Sequence, residues 1–191
     1  MSSPDERDQL DLFHWAFDKL YPAIRFSHER IFGNPWFSQV KPRLWLGGAP
    51  TYGRDYDALL VDGITAVLDV RAERTADLAF YADHGITYRR LQVVDMGIPS
   101  EEVLTAAVDW IEGQLADGRT VLAHCAKGRG RSATVVAAYL MREDGLSFEE
   151  ASELLRLKRS LVKLEGRHRR VLDSWIATQR DARDRPTQEH N

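Results

Sequence analysis

The chain of 191 residues is poor in the residues on which several classes of protein depend. It contains one cysteine, Cys125, which excludes an intramolecular disulfide and a zinc site built from paired thiolates. Its six histidines are scattered, without the short spacing that metal ligands usually show. We therefore expect no metal ion and no cofactor.

The chain also lacks a long apolar run and a surplus of positive charge. No stretch reaches the roughly 20 apolar residues that a membrane-spanning helix needs. The formal net charge of −3 offers no general attraction to nucleic acid, so nucleic acid is not an expected partner. The 43% hydrophobic and 29% charged residues are typical of a soluble globular protein, and we expect a cytoplasmic location.

The chain does contain an alternation of short β-branched strands and helices. The patterns predict strands at 43–46, 64–70, 86–94 and 120–123, and helices at 56–61, 75–84, 100–117, 132–141, 147–159 and 165–180. Such alternation is typical of an α/β domain with a mostly parallel central sheet flanked by helices. We expect one catalytic domain over 40–180, an N-terminal helical segment over 1–39 and a disordered tail over 181–191.

The N-terminal segment is predicted to be helical over 8–32 and is rich in aromatic residues. These residues could face a membrane surface or pack against the domain. Packing is favoured because the segment lacks a lysine-rich polar face, but peripheral membrane contact stays open. The aromatic residues concerned are Trp15, Phe17, Tyr21, Phe26, Trp36 and Phe37.

One join between a strand and a helix carries a reactive group. It reads His-Cys-Ala-Lys-Gly-Arg-Gly-Arg-Ser from His124 to Ser132, at the sheet edge where α/β proteins bind ligands. A thiol attacks phosphorus as the thiolate, and a helix N-terminus with nearby cations lowers a cysteine pKa from about 8.5 to roughly 3.5–7.5. Cys125 lies just before such a helix, with three cations close in sequence. The join therefore predicts a cysteine that cleaves phosphate esters.

The same join can bind the phosphoryl group. Backbone N–H groups of five consecutive residues can form an anion-binding nest, and the two glycines permit the required backbone angles. The residues that we expect to bind substrate in this way are Ala126, Lys127, Gly128, Arg129 and Gly130.

Three side chains of the join have expected roles beside Cys125. Arg131 can hold two phosphoryl oxygens with its planar fork, which lysine cannot do. Ser132 can donate to the sulfur as it leaves phosphorus. His124 is expected to hydrogen-bond the backbone of the loop and support the low pKa of Cys125, without transferring protons itself. The alternative, an inert buried cysteine before a solvated basic turn, is disfavoured because buried turns seldom carry three cations.

A carboxylic acid is needed to protonate the leaving oxygen, and Asp95 is the candidate. It follows the strand predicted over 86–94, at the same sheet edge as the cysteine, and precedes a Met-Gly-Ile-Pro stretch. The alternative is a carboxylate that only caps a turn. Asp69 and Arg71, at the end of another strand, are weaker candidates. Asp69 could orient loop groups and Arg71 could meet a substrate headgroup, but a plain ion pair is the better explanation of both.

The stretch from His124 to Ser132 resembles the signature of the protein tyrosine phosphatase superfamily, in its compact dual-specificity branch. The likeness extends over about residues 40–175. Residues 94–99 and 132–140 resemble the mitochondrial phosphatase that acts on phosphatidylglycerophosphate. Three features differ from that phosphatase. The loop that carries the acid is one residue shorter here, and Lys127 stands one place later than the corresponding lysine. The stretch from Arg71 to Arg74 takes the place of its acidic Glu-Glu-Tyr-Glu sequence.

The resemblance implies a cysteine-dependent phosphatase of dual-specificity fold, with Asp95 in the position of the general acid. We expect hydrolysis of phosphate monoesters through a phospho-cysteine intermediate, with a phosphorylated substrate as the partner. A phospholipid headgroup such as that of phosphatidylglycerophosphate is favoured. Protein tyrosine or dual-specificity phosphatase activity is the alternative, and an inactive phosphate-binding module is the remote one.

Overall fold

The computed structural model describes residue 23 and residues 25–31, 33–74 and 76–184. The chain divides between Trp36 and Phe37 into two compact units. Among its described residues, the first unit contains a π-helical turn over Ser27–Ile31. Most of the helix predicted over 8–32 lies outside the described residues.

The second unit is built on a five-stranded sheet with the spatial order β1-β2-β5-β3-β4. The pairs β2–β5, β5–β3 and β3–β4 are parallel, and β1–β2 is antiparallel. The prediction of an α/β fold with a mostly parallel sheet is therefore confirmed. The strands are β1 (Phe37–Lys41), β2 (Leu44–Gly47), β3 (Ala66–Asp69), β4 (Thr87–Arg90) and β5 (Val121–His124).

Six α-helices connect or flank these strands in the described part of the second unit. They are α1 (Gly53–Val61), α2 (Leu78–Asp83), α3 (Glu101–Ala116), α4 (Arg131–Glu143), α5 (Phe148–Lys158) and α6 (Gly166–Asp184). Helix α4 contacts the sheet at β5 and β2 and the helices α3, α5 and α6. Its residues from Arg131 to Met141 are all buried, and most of them are small or aliphatic.

Two helix starts follow the capping signals of the sequence. The Ser100 side chain accepts a hydrogen bond from the Val103 N–H at the start of α3. Ser147 and Glu150 form a reciprocal capping box at the start of α5. Helix α2 is shorter than predicted because Asp77 caps it by accepting from the Phe80 N–H, so the helix begins at Leu78.

Strand β1 was not predicted from the sequence. It forms a hairpin with β2 through Pro42 and Arg43, and Arg43 adopts a left-handed conformation with φ of 64°. A non-glycine residue in that conformation gives no turn signal in the sequence. Because β1 begins at Phe37, the sheet starts three residues before the expected boundary at residue 40. Phe37 is 3% exposed in this strand and belongs to the core, not to a membrane-facing surface.

Strand β4 ends at Arg90, whereas the sequence predicted a strand as far as Val94. It is an edge strand that pairs only with β3, and β3 ends at Asp69. The last bond of this ladder joins the Leu91 N–H to the Asp69 carbonyl at 2.9 Å. Beyond Leu91 a single backbone bond, from the Ala72 N–H to the Val93 carbonyl at 3.2 Å, joins the two segments without continuing the ladder. Asp95 therefore lies on a loop and not at the end of a strand.

Helix α6 continues to Asp184, so residues 181–184 are helical and not part of a disordered tail. Residues 185–191 lie outside the described residues. None of the helices in the described part of the chain is both long enough and apolar enough to cross a bilayer.

Candidate active site

The loop between β5 and α4 lies at the centre of the sheet, with β2 on one side of β5 and β3 on the other. Cys125 directly follows the last residue of β5, and Arg131 is the first residue of α4. The predicted positions of the cysteine and of the helix N-terminus are thus found in the structure. The loop itself comprises residues 125–130.

Cys125 is 3% exposed and lies among hydrogen-bond donors. The Ser132 hydroxyl donates to its sulfur at 3.3 Å, and the backbone N–H groups of Arg129 and Ser132 also point to it. Burial alone would raise the pKa of the Cys125 thiol. The Arg131 charge and these hydrogen bonds outweigh burial and lower the pKa below its usual value, which favours the thiolate.

The carbonyl groups of the loop are bound from behind by the surrounding protein. Backbone N–H groups of Ala49 and Lys163 donate to the carbonyls of Ala126 and Arg129 at 3.2 and 3.0 Å. Between them, Arg159 donates to the Lys127 carbonyl at 2.9 Å and to the Gly128 carbonyl at 3.1 Å. With four successive carbonyls held outward, the intervening N–H groups can face a bound anion.

Arg159 is a residue that the sequence did not single out. It is 2% exposed and directly follows α5, where local sequence predicts only the end of a helix. Arg159 lies 31 and 32 residues after the two loop residues whose carbonyls it binds. No pattern in the local sequence indicates a contact over that distance.

Gly128 is required where the loop passes β2. Its φ is +63°, and a Cβ atom built on it would lie 2.4 Å from the carbonyl carbon and oxygen of Gly47. A side chain at position 128 would therefore collide with backbone and would also impose an unfavourable conformation. Gly130 differs, because the atom nearest to a Cβ built there is the His168 Nε2 at 3.8 Å.

The Arg131 guanidinium is engaged by two carboxylates in this structure. Glu73 accepts from both terminal nitrogens at 2.7 and 2.8 Å, and Asp95 accepts from one of them at 2.8 Å. The Val93 carbonyl accepts a further bond at 2.9 Å. The fork that the sequence assigned to phosphoryl oxygens is thus already occupied, and a phosphoryl group has to displace at least one carboxylate.

Glu73 is a second residue without a role in the sequence-based model of the site. Burial would raise its pKa, but the hydrogen bonds and charge of Arg131 lower it, so the side chain is ionised. A signal for it was present in the sequence, because Glu73 lies in the stretch from Arg71 to Arg74 that corresponds to an acidic stretch of the phosphatase it resembles.

Asp95 reaches the site from its loop, as predicted, although the strand ends before it. Its carboxylate accepts from the Met96 N–H at 3.0 Å as well as from Arg131. The residues on either side, Val94 and Met96, are 68% and 55% exposed. The candidate acid is therefore flanked by apolar side chains at the protein surface.

Asp69 and Arg71 form a buried ion pair, in agreement with the sequence-based interpretation. Arg71 donates to both carboxylate oxygens at 2.9 and 2.8 Å, and the Tyr88 hydroxyl donates at 3.1 Å. Burial would raise the pKa of Asp69, but these contacts hold it below its usual range.

His124 is completely buried and contacts the backbone of the loop. Its Nδ1 lies 3.4 Å from the Cys125 carbonyl oxygen and 3.8 Å from an Asp69 oxygen, which is too far for a hydrogen bond. Burial lowers the pKa of His124 to about 4, so the ring is neutral at neutral pH. It therefore adds no positive charge beside the Cys125 thiolate.

The two other cations of the loop differ in exposure. The Lys127 side chain is 8% exposed, whereas Arg129 is exposed. Arg129 is therefore the better placed of the two to meet a group of the substrate outside the loop.

Residues 44–177 match the family model described as "Dual specificity phosphatase, catalytic domain". The chain is 36% identical to human dual specificity protein phosphatase 12 over 130 residues, which cover 66% of this chain and 37% of that protein. It is 28% identical to the phosphatidylglycerophosphate phosphatase PTPMT2 of Arabidopsis thaliana over 163 residues, covering 84% of this chain and 70% of the relative. The chain thus spans little more than a third of the human relative.

Among solved structures, the chain is similar to PTPMT1 in complex with PI(5)P. The TM-score is 0.71 at 27% identity, and the match covers 79% of this chain and 100% of that one.

The close approach of Gly128 to Gly47 predicts that Gly128→Ala destabilises the protein. The backbone strain and the collision should cost about 1–3 kcal/mol or more. Thermal unfolding followed by circular dichroism measures the effect, with Gly130→Ala as the matched control in the same loop. The control should change stability by less than about 1 kcal/mol. Equal melting temperatures for Gly128→Ala and the wild type would contradict the observed packing.

The contacts of Cys125 predict that Arg131→Met raises the pKa of the thiol. Removing the opposite charge should move the pH midpoint of iodoacetamide alkylation upward by roughly one to three pH units. Arg129→Met is the control, because the backbone N–H of residue 129, and not its side chain, contacts the sulfur. A midpoint that moves equally in both variants would show that general positive charge, rather than Arg131, stabilises the thiolate.

Proposed function

The chain belongs to the dual specificity phosphatase family, and we propose that it hydrolyses phosphate monoesters through a phospho-cysteine formed on Cys125. The observation that carries the proposal is the environment of this thiol, whose pKa is lowered by Arg131, Ser132 and backbone N–H groups. The catalytic domain expected over residues 40–180 is proposed with the bounds of its observed elements, from Phe37 to Asp184, which include the matched range.

In the first step, the Cys125 thiolate attacks phosphorus and forms the S–P bond. The P–O bond to the leaving group breaks, and the departing oxygen takes a proton from Asp95. The inward N–H groups of residues 126–130 bind the phosphoryl oxygens, which carry the developing charge. Asp95 must be protonated to act as this acid. In the structure it forms an ion pair with Arg131, which requires the deprotonated carboxylate, so it has to leave Arg131 before it can act.

Substrate binding therefore requires an exchange of partners at Arg131. The incoming phosphoryl oxygens compete with Asp95 for the terminal nitrogen that it holds at 2.8 Å. Once displaced, Asp95 is free to carry a proton and to approach the leaving oxygen. Glu73 accepts one bond from each terminal nitrogen, so it can keep these two bonds and orient Arg131 during this exchange.

In the second step, water attacks the phosphorus of the phospho-cysteine. The Asp95 carboxylate accepts a proton from this water, the S–P bond breaks, and inorganic phosphate is released. The Ser132 hydroxyl, 3.3 Å from the sulfur, stabilises the thiolate as it leaves. His124 is assigned a supporting role, through its contact with the loop backbone.

A phospholipid headgroup is the proposed substrate. Similarity to a phosphatidylglycerophosphate phosphatase extends over most of the chain, and a structural neighbour was crystallised with a phosphoinositide. The exposed Arg129 can meet a further polar or charged group of such a headgroup. Val94 and Met96 offer apolar surface beside Asp95, as a substrate held at a lipid surface requires.

A lipid substrate implies peripheral contact with a membrane surface, and we include this contact in the proposal. The cytoplasmic location expected from the sequence stays a prediction. The second candidate function is dual-specificity protein phosphatase activity. It is favoured by the higher identity to the human relative, although over a shorter part of the chain.

The proposed function predicts turnover of phosphatidylglycerophosphate with a higher kcat/KM than that of phosphotyrosyl peptides. Phosphate release is measured for both substrates, for phosphoinositides and for para-nitrophenyl phosphate. Cys125→Ser is the control and should abolish turnover while retaining oxyanion binding, since a hydroxyl is a far weaker nucleophile at neutral pH. Turnover of the peptides alone would make the protein phosphatase the correct function. Binding of phosphate without turnover of any substrate would indicate a binding module.

The role of Asp95 predicts that Asp95→Asn affects poor leaving groups most. On an alkyl phosphate kcat should fall about 10²–10⁴-fold, with a smaller loss on para-nitrophenyl phosphate. A general acid acts only in its protonated form, so any basic limb of kcat/KM that it causes should disappear in the variant. Glu73→Gln is the matched control, because it changes the other carboxylate on Arg131 and should keep the limb. A normal basic limb in Asp95→Asn would assign the acid elsewhere.

A further inference from the structure

Arg90 is a cation whose orientation is set by backbone carbonyls and not by an acid. It is the last residue of β4 and is half-buried. Its Nε donates to the Arg71 carbonyl at 2.8 Å, and one terminal nitrogen donates to the Ala72 carbonyl at 2.7 Å. No carboxylate in the described part of the chain pairs with it. Of the five N–H groups of a guanidinium, three therefore remain for an external acceptor.

Arg90 lines an open pocket together with Ala72, Glu73 and Arg74, with a volume of about 540 Å³. The one acid in this lining, Glu73, already has both oxygens bound by Arg131. The positive charge that carries the argument is therefore that of Arg90. Such a pocket attracts an anion and repels a cation.

The pocket lies close to the catalytic loop. Asp69 is paired with His124 on β5 and with Arg90 on β4, so these residues form a row across the sheet. His124 and Arg90 are thus two strand spacings apart, roughly 10 Å. The Arg90 guanidinium reaches back to residues 71 and 72, which follow β3, the neighbour of β5. Its charge therefore lies about one spacing nearer to Cys125 than its backbone does.

From this placement we infer that the Arg90 pocket binds the second phosphate of a glycerophospholipid substrate, the phosphodiester that joins the headgroup to the diacylglycerol. The inference rests on the proposed function, because it assumes that the scissile monoester lies in the loop at Cys125. A phosphodiester carries one negative charge and two free oxygens, and a guanidinium can bind both oxygens. Arg90 and Arg74 are then specificity-determining residues that separate phosphatidylglycerophosphate from lipids with a single phosphate.

The test compares three substrates of different phosphate content. Short-chain dioctanoyl phosphatidylglycerophosphate has the monoester and the diester, whereas dioctanoyl phosphatidic acid and para-nitrophenyl phosphate have only a monoester. Relative to the other two, kcat/KM for phosphatidylglycerophosphate should fall roughly 10- to 100-fold further in Arg90→Ala, mainly through KM. Arg90→Lys should restore part of this selectivity, because it keeps the charge without the fork.

Two further variants separate binding from structure. Arg89→Ala is the matched control, since adjacent residues of a strand point to opposite faces, and it should affect all three substrates alike. Arg74→Ala should reduce selectivity in the same direction as Arg90→Ala. It does so without removing the Arg90 bonds to the Arg71 and Ala72 carbonyls, so loss of those bonds cannot explain the result.

Parallel losses on all three substrates, or no selective loss in Arg90→Ala, would overturn the inference. A selective loss on phosphotyrosyl peptides with a neighbouring acidic residue would also overturn it and assign the pocket to proteins.

A wild-type enzyme that does not hydrolyse phosphatidylglycerophosphate would refute the proposed substrate instead. The pocket is then tested by inhibition of para-nitrophenyl phosphate turnover with glycerol bisphosphate and glycerol phosphate. Tighter inhibition by the bisphosphate that Arg90→Ala removes supports a second phosphate subsite. Equal inhibition by the two compounds overturns it.

Discussion

The site depends on how the carbonyl groups of the loop after β5 are held. Four successive carbonyls accept bonds from the protein behind the loop, two of them from the buried guanidinium of Arg159. A peptide whose carbonyl points outward presents its N–H inward, so this anchoring creates the anion-binding nest before any substrate arrives. One of these inward N–H groups, that of Arg129, also reaches the Cys125 sulfur and helps to lower its pKa. Binding of phosphate and activation of the nucleophile thus have one structural cause.

Arg131 connects this nest to the groups around it. Its charge lowers the pKa of Cys125, and its terminal nitrogens hold Glu73 and Asp95. In the proposed mechanism phosphate competes with Asp95 for the same donor. Arrival of the substrate and release of the acid are then one event, which keeps Asp95 away from the thiolate until there is a leaving group to protonate.

In the proposed mechanism, selectivity depends on two charges around the bound phosphoryl group, one on the loop and one outside it. In that mechanism the loop binds the phosphoryl group, which every phosphate monoester shares. Arg129 is exposed on the loop itself, and Arg90 lies towards the other end of the row across the sheet. Apolar Val94 and Met96 lie at the surface beside the acid. A substrate with a second phosphate and an apolar body can satisfy more of these groups than an aryl phosphate can.

The sequence by itself determined the α/β class and the position of the Cys125 loop between a strand and a helix. The residues from His124 to Ser132 are consecutive, so their chemistry follows from local order, as do the caps at Ser100 and Ser147. Tertiary structure alone decided which distant side chains serve that loop. Arg159, Glu73 and Arg90 act through contacts with residues far away in the chain. Only Glu73 had a local signal, the stretch from Arg71 to Arg74, and that signal did not predict its contact with Arg131. The end of β4 was also decided by tertiary structure. This edge strand pairs with β3 and ends opposite the last residue of β3, Asp69.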